Sequence, residues 1–459
     1  MAPIVRKLSW AIQRTEGSAL VFVLLLLTLL SVLLAGVMGL YQVREKWVRR
    51  DVHRTQARYL AESGLYAALD LLEKHSDATS IAVPFKTGSA EAKIQPFGGF
   101  YAIFATGKSH ESQVSLHALV GAIPGMFWDA SLVVGDVSSS LYAVQNTHIS
   151  GIAYLGPLGI ETRSMGFRPF TGQLQLDIKA LPPDQFPYFN PVLINRSIAQ
   201  LQNLVHQPPD HAQPGTALLD PTSWKIEPGQ PIILILPPRA DVFLPANWKP
   251  RVPVWIIGQG DLRIAGQGVF PDGSVITSAG RLTLAGALQL HHTVCFSPNE
   301  LGVQDMVRGS AQFLSYRRVF IQDRVYVEWP GLAYVSGVRI GDVRQGELSV
   351  SGHAVVDGTL LLPAPDVPVR YDEARIRLRH PAVLRGALYS ANQTEVDGTV
   401  LGTLMTSQFY FYEAPGAYIN WIRNVFLERA GRPPFFILPI GFNEHTPLTI
   451  LARWEDAPL

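Results

Sequence analysis

The stretch from Ser18 to Tyr41 carries no charged side chain over 24 residues. A helix of this length spans about 36 Å, which exceeds the roughly 30 Å hydrocarbon core of a bilayer. Backbone groups in lipid must be hydrogen-bonded within the segment, so the pattern predicts a transmembrane helix at 18–41. The stretch is also too long for a simple cleaved secretory peptide.

The composition of the remainder is that of a folded, β-rich chain. Of the 459 residues 16% are charged, and there are 39 glycines and 34 prolines, which favours an α+β protein with a mainly-β body. The net charge of +1 gives no basic field, so we predict no nucleic-acid partner. Cys295 is the single cysteine, which excludes an internal disulfide and any CxxC zinc pattern.

The arm around the apolar stretch has three parts. A basic leader, residues 1–17, ends at Gly17 and precedes the transmembrane segment. Residues 42–75 continue as a charged helix with an apolar stripe. The stripe consists of Val48, Val52, Leu60, Leu65, Ala68 and Leu72. No proline interrupts Ser18–Lys74, so the sequence predicts one continuous helix.

Two motifs in this arm resemble a known family. Gly17-Ser18-Ala19-Leu20-Val21 leads into the leucine-rich run, and Ala61-Glu62-Ser63-Gly64-Leu65 follows about forty residues later. The arrangement resembles the type IV pilin superfamily, within it the minor pilins with a PilX-type N-terminal domain and the type II secretion pseudopilins. The resemblance covers about residues 1–75.

The resemblance implies a processing event and a set of partners. A prepilin peptidase would cut between Gly17 and Ser18 and methylate the new amino terminus. Other pilin-like subunits or assembly proteins and membrane lipid would be the remaining partners. Most pilins carry Glu at the fifth mature position, where this chain has Phe22. Filament docking through that Glu is therefore not expected.

The basic residues around the apolar stretch oppose the orientation that a pilin would have. Six lie on its C-terminal side and three on its leader side, so the positive-inside rule alone would place the body in the cytoplasm. We expect the body outside the inner membrane, because the pilin motifs are the more specific signal. The C-terminal set comprises Arg44, Lys46, Arg49, Arg50, Arg54 and Arg58.

The chain beyond the arm is predicted to form two β regions. Residues 76–125 contain three β segments separated by turn signals, a small antiparallel meander. Residues 126–459 contain many short β segments with glycine corners. Within them, 348–362 aligns on 388–402 without a gap, and Asp357-Gly358 and Asp397-Gly398 occupy matching turn positions. Asp-Gly between strands favours a β-sandwich of hairpins, whereas repeated short strands favour a β-solenoid, the interpretation we adopt.

Two segments interrupt the predicted body. Residues 182–253 are rich in proline and are interpreted as an insertion, with a short amphipathic helix after Asn190 and Pro191. Residues 418–431 predict a second helix with Ile419, Ile422 and Val425 on one face. This helix and the strands after it would cap the solenoid.

The sequence contains no catalytic motif, and we predict a non-enzymatic protein without catalytic, cofactor or metal sites. The rings of His291 and His292 would point to opposite faces of a strand, and Cys295 is typical of a buried small hydrophobe. In the run 409–412 the phenylalanines would face the core and the tyrosines the solvent. Five aspartates beside glycines are interpreted as turn residues that bond the backbone: Asp261, Asp272, Asp342, Asp357 and Asp397.

These observations favour a structural, membrane-anchored pilin-like protein. It would be a minor or tip component of a type IV pilus or a type II secretion-like pseudopilus, anchored in a bacterial inner membrane by a single span. Two alternatives stay open. One is a membrane-tethered β-helix protein that binds or degrades polysaccharide. The other is a cytoplasmic-facing scaffold with a bactofilin-like body.

Overall fold

The computed structural model describes residues 3–74, 78–182, 185–215, 224, 230–442 and 447–455, with side chains from Leu20 to Arg453. The chain divides into two compact units. The first comprises Met1–Lys93, Phe104–His117 and Trp454–Leu459, and the second Ile94–Ile103 and Ala118–Arg453.

The arm is one helix, α1 (Pro3–Lys74), as the absence of proline predicts. Among the described residues, its portion from Leu20 is the one helix long and apolar enough to cross a membrane. Side chains between Leu20 and Val52 are almost all exposed, and Val48 and Val52 do not join the buried stripe. Burial begins at Ala57 and continues through Leu72. The helix therefore has a bare apolar half and a packed half.

An antiparallel sheet follows α1. Its strands are β1 (Ser80–Phe85), β2 (Gly88–Phe97), β3 (Phe100–Ser109) and β4 (Ser112–Ala122), with Leu448–Glu455 added beside β4. The meander is present with one more strand than predicted, because Ser80–Phe85 pairs with β2. In the first unit α1 approaches β3 closely: a Cβ on Gly107 would lie 2.0 Å from the carbonyl oxygen of Ala57.

The described residues of the second unit form mostly short strands, with one α-helix, α2 (Val192–His206). The strands before residue 260 are β5 (Leu132–Val134), β6 (Leu141–Val144), β7 (His148–Leu155), β8 (Ile160–Thr162), β9 (Gln173–Ala180), β10 (Gln213–Pro214), β11 (Ile232–Leu236), β12 (Ala240–Leu244) and β13 (Val254–Gly258). The next are β14 (Leu262–Gly266), β15 (Val269–Phe270), β16 (Val275–Ser278), β17 (Leu282–Leu284), β18 (Gln289–Ser297), β19 (Glu300–Val303), β20 (Arg308–Ser315), β21 (Arg318–Ile321) and β22 (Tyr326–Val335). The last are β23 (Val338–Ile340), β24 (Val343–Gln345), β25 (Glu347–Val350), β26 (Val355–Leu362), β27 (Tyr371–Asp372), β28 (Arg375–Leu378), β29 (Val383–Val396), β30 (Thr399–Glu413), β31 (Gly416–Ile419), β32 (Trp421–Arg423), β33 (Phe426–Glu428) and β34 (Leu448–Glu455).

Most of these strands pair in parallel with the strands one turn of chain before and after them. The first ladder runs β10, β11, β13, β16, β18, β20, β22, β26, β29, β30, β5 and β7, and ends at β9. A second ladder runs β12, β14, β17, β19, β21, β25 and β28 onto β29, and a third begins β15, β18, β20. Inward residues stack in register, as Ile276, Cys295 and Phe313 do, and form one apolar core.

The order of strands in the first ladder differs from their order along the chain. β5 pairs with β30 through Leu132 and Leu404, and β7 pairs with β33 through Ile149 and Leu427. The first strands of the body therefore stack on strands near its C-terminal end, β5 on β30 and β7 on β33.

The Pro-rich segment 182–253 is only partly an insertion. The predicted helix is α2, and it begins one residue after Pro191. Asn190 lies before it, and its Oδ1 accepts a hydrogen bond from the Val192 amide at 3.2 Å. From Ile232 onward the segment supplies β11 and β12 of the parallel ladders. Residues 183–184, 216–223 and 225–229 of this segment lie outside the described residues.

The helix predicted at 418–431 is wrong. This stretch forms parts of β31, β32 and β33 and a single 3-10 turn at Arg429–Gly431. Asn420 and Asn424 have positive φ angles of 56° and 51°, which break the chain into short strands. Pairing with parallel strands makes the segment extended, because Trp421 pairs with Tyr142 of β6 and Phe426 pairs with His148 of β7.

The alignment of 348–362 on 388–402 does not mark equivalent positions. Leu348 lies in the second ladder, beside Val319, whereas Leu388 lies in the first, beside Leu360. Asp357 and Gly358 lie inside β26 and not at a turn, which corrects that prediction. Asp397 and Gly398 do lie between two strands, but β29 and β30 pair in parallel, so the turn is not a two-residue hairpin.

Candidate functional site: a ladder of alternating charge

Three serines form the same corner between the first and second ladders. Ser278 Oγ lies 2.5 Å from the Gly260 carbonyl oxygen and 3.0 Å from that of Arg281. Ser297 Oγ is likewise 2.7 Å from the Gly280 oxygen and 2.9 Å from the Glu300 oxygen. Ser315 Oγ accepts from the backbone amides of Arg317 and Arg318 at 3.2 Å. Each corner thus delivers a charged residue to the same place, three positions after its serine.

These charged residues form a row in which the sign alternates from strand to strand. Pairing registers place Glu300 beside Arg318, Arg318 beside Glu347, and Glu347 beside Arg375. The row extends upstream because Leu262, Leu282 and Leu301 are in register and Asp261 and Arg281 come directly before the first two. The charge ladder comprises Asp261, Arg281, Glu300, Arg318, Glu347 and Arg375.

The charge ladder lines an open groove. A cleft of about 390 Å³ lies among Asp261, Arg281, Glu300 and Arg318, and a second of about 170 Å³ continues past Arg318 to Arg375. Asp261 Oδ1 accepts from the Arg281 amide at 2.8 Å, and Arg318 Nη1 lies 3.9 Å from Glu300 Oε2. Arg317 and Glu373 also line the clefts, so the acidic and basic side chains of the groove balance and it has little net field. The arrangement fits a device that fixes strand register better than a site for a charged ligand.

More deeply placed ion pairs continue this pattern on the adjoining strands. Arg377 lies between Glu347 at 2.5 Å and Glu395 at 2.9 Å. Arg344, whose side chain is only 3% exposed, binds Asp372 at 3.1 Å. Burial lowers the pKa of Arg344 and raises that of Asp372, and their mutual attraction opposes both shifts.

The adjacent histidines 291 and 292 lie at an irregularity of their strand, so simple alternation does not place their rings, and His292 bonds a carboxylate. Their strand, β18, is irregular between Leu290 and Thr293, and His292 has a φ of 39°. His292 Nδ1 lies 2.6 Å from Asp272 Oδ1. This hydrogen bond holds the pKa of Asp272 below its ordinary value, against the opposing effect of burial. The pair joins two successive turns of chain.

The single cysteine, Cys295, lies in the apolar core. Cys295 is fully buried between Ile276 and Phe313, and burial raises the pKa of its thiol, so it stays protonated. Within the described residues, no group of three His, Cys, Asp or Glu side chains could hold a metal ion.

The predicted turn aspartates divide by role. Asp261 and Asp397 bond the backbone amides of Arg281 and His380, as predicted. Asp272 instead pairs with His292, and Asp342 lies 3.9 Å from Arg339. The fifth, Asp357, lies within a strand and binds an arginine.

The aromatic run on β30 has the predicted facing. Phe409 and Phe411 are buried, Tyr410 is half-buried and Tyr412 is exposed. Phe411 stacks on Tyr418 with ring centroids 4.9 Å apart. One exposed tyrosine does not form an aromatic platform for a sugar.

The pilin-like motif lies on the packed half of α1. Ala61 and Leu65 are buried, and a Cβ on Gly64 would come 3.0 Å from the Cβ of Ala90 on β2. Glu62 lies 3.7 Å from Arg58, and Ser63 Oγ bonds the Tyr59 carbonyl at 2.8 Å. The motif thus supplies small residues where the helix meets the strands of the first unit. At the predicted cleavage site, Gly17–Ser18, the structure describes the helical backbone only.

Sequence reasoning missed the charge ladder, although a signal for it exists. The tetrapeptides SAGR (278–281), SPNE (297–300) and SYRR (315–318) share a serine three residues before a charge. Their spacing matches the turns of the parallel ladders, and treating them as one motif would have located the corner and the groove.

No protein-family model matches the chain, and no curated protein matches it. Among solved structures it is similar to the competence-associated pilin ComZ from Thermus thermophilus. The likeness has 10% sequence identity and a TM-score of 0.21, and covers 89% of this chain and 98% of that chain. A likeness at that score carries no argument about the function of this chain.

Proposed function

We propose that this chain is a membrane-anchored, pilin-like structural protein that displays a β-solenoid body outside the inner membrane. The observation that carries the proposal is the division of α1 into two halves. One unbroken helix exposes a charge-free apolar run and then buries a stripe against the strands of the first unit. A pilin-like subunit needs this arrangement, because one part of the helix must lie in lipid or in a helical bundle and the other part must pack against a head.

The solenoid interpretation rests on the parallel ladders. Strands pair in register over successive turns, and inward residues of each turn stack on those of the next. Such stacking leaves each turn in contact only with its neighbours, which is the defining property of a solenoid.

We further propose a minor or tip position in a type IV pilus or type II secretion-like pseudopilus. The second unit extends from Ala118 to Arg453 and is too bulky to repeat along a tight helical filament. Other pilin-like subunits, a prepilin peptidase and membrane lipid are the proposed partners. A non-enzymatic role fits the mutual pairing of the charges in the groove and the buried thiol of Cys295.

The deciding experiment combines N-terminal mass spectrometry of the native protein with protease accessibility of spheroplasts. Processing predicts an amino terminus at Ser18, N-methylated, and a body that external protease removes. A Gly17→Ile variant would retain the leader, and Gly39→Ile, on the same helix but inside the apolar run, is the matched control that would still be processed.

One competing function is favoured by a specific observation, the basic cluster on the C-terminal side of the apolar run. Arg49 pairs with Glu45 and Arg58 with Glu62, so part of this charge is offset within the helix. An intact leader with a protease-protected body would overturn the pilin-like proposal and establish the cytoplasmic-facing scaffold.

A further inference from the structure

Strand β9 ends the first ladder. Among the described residues it pairs with one strand, β7, in parallel from Gln173 to Ala180. Its other edge presents backbone N–H and C=O groups to which no described strand is added. An uncovered edge of eight residues is able to accept another strand.

The apolar core extends to β9, and no described strand covers it on the far side of β9. Leu174 and Ile178 continue the inward columns of Ile149 and Ala153, both of which are buried. Leu174 is only half-buried and Ile178 is 50% exposed. Toward the opposite end of the ladder, β10 pairs in parallel with β11, and Leu234 and Leu236 of β11 are buried. The core is therefore covered by a further strand at β11 and uncovered at β9, where one more layer would bury exposed apolar side chains.

The charges on β9 favour one partner. Asp177 and Lys179 are exposed and flank Ile178. If two copies of β9 paired antiparallel about Ile178, Asp177 of each copy would lie opposite Lys179 of the other. The pairing would therefore form two Asp–Lys pairs. Shifting the centre to Asp177 would put that residue opposite itself, which is repulsive. A two-fold axis at Ile178 also keeps the inward faces of both copies on one side.

We infer that two copies of this chain associate through residues 176–180 of β9, antiparallel and centred on Ile178, so that their open cores meet at Leu176 and Ile178. Edge charges of this kind often block pairing. Here the opposite signs at 177 and 179 instead select one register of self-pairing. The inference uses residues of the second unit only and stands apart from the proposed function.

The test is sedimentation velocity of the full-length protein in detergent across a concentration range. We expect a monomer–dimer equilibrium whose Kd rises about tenfold or more in Asp177→Lys, since two attractive pairs become repulsive. Lys179→Asp should weaken association similarly, and the double exchange Asp177→Lys/Lys179→Asp should restore it. All these side chains are exposed, so folding should not change. Asp241→Lys, which reverses an exposed charge on β12, is the matched control and should leave Kd unchanged.

A second readout uses the fact that the chain's one thiol is buried. Because Cys295 is inaccessible, Ile178→Cys would introduce the accessible thiol and should give a disulfide-linked dimer in oxidised membranes. Asp241→Cys should not. A monomeric wild type over the whole concentration range would overturn the inference and leave the β9 charges as a barrier to association. A dimer that Asp177→Lys does not weaken, or that the double exchange does not restore, would place the contact elsewhere, for instance along α1.

Discussion

Arg385 binds the carboxylate of Asp357, its register partner on the neighbouring parallel strand, with two hydrogen bonds of 2.5 and 2.6 Å. The Tyr326 hydroxyl lies 3.0 Å from the same carboxylate, and hydrogen bonding to Asp357 raises the pKa of Arg385. An ion pair here fastens β26 to β29, at the residue that the sequence pattern had assigned to a hairpin turn.

Truncating this arginine should be costly. Asp357 is buried, so Arg385→Ala would leave a carboxylate with one remaining neutral partner and lower the free energy of unfolding by about 1–3 kcal/mol. Arg379→Ala, at an exposed position nearby, is the control and should cost far less. Urea unfolding followed by tryptophan fluorescence measures both, and equal losses would contradict the assigned role.

Packing of α1 on the first unit should depend on Gly107. A Cβ there would lie 2.4 Å from the Ala61 amide as well as against the Ala57 carbonyl, so Gly107→Ala must push helix and strand apart, at about 1–3 kcal/mol. Hydrogen exchange in residues 57–72 should accelerate. Gly302→Ala, whose new Cβ would come no nearer than 4.0 Å to Thr283, is the control; exchange that is equally slow in both variants would show that the packing is loose.

Inverting one charge in the ladder should destabilise the body in a salt-dependent way. Glu300→Arg would place three arginines on successive strands at 281, 300 and 318, and we expect a loss of about 0.5–1 kcal/mol at low salt that shrinks in about 1 M NaCl. Glu300→Gln should lose less, and Glu300→Arg/Arg318→Glu should recover part of the loss. Thermal unfolding of each variant at low and high ionic strength measures this loss of stability. A loss that does not change with salt would indicate that the substitution disturbs packing rather than charge.

The Asp272–His292 contact should give a stability difference confined to higher pH. The folded pKa of Asp272 lies below its ordinary value of 3.8, so its stabilising effect is fully present above the unfolded pKa and is lost as pH falls through the folded one. Asp272→Asn should therefore be less stable than wild type above about pH 5, with the gap closing below about pH 4. Chemical unfolding across this pH range measures the gap. A gap that stays constant down to about pH 2 would rule out the carboxylate as its source.

The features predicted correctly from sequence are those that local pattern decides. The unbroken α1 follows from the absence of proline, and the facing of Phe409 and Phe411 follows from strand alternation. The failures come where distant neighbours decide. Ile419, Ile422 and Val425 have helical spacing, yet Asn420 and Asn424 turn the chain, and pairing with β6 and β7 makes it extended. The pairing of Asp357 with Arg385 is invisible until the register is known, because their separation along the chain carries no local signal.

The stacking of β5 on β30 sets the order in which this body can be completed. Leu132 of β5 pairs with Leu404 of β30, and Ile149 of β7 pairs with Leu427 of β33. These two pairings form only after nearly the whole chain has been made. Contacts of such long sequence separation slow folding and prolong the exposure of unpaired edges. A chain folding from its amino end would have β5, β7 and β9 paired only with one another until β30 and β33 were available. A truncation before Thr399 would therefore leave β5 and β7 without the C-terminal strands on which they stack.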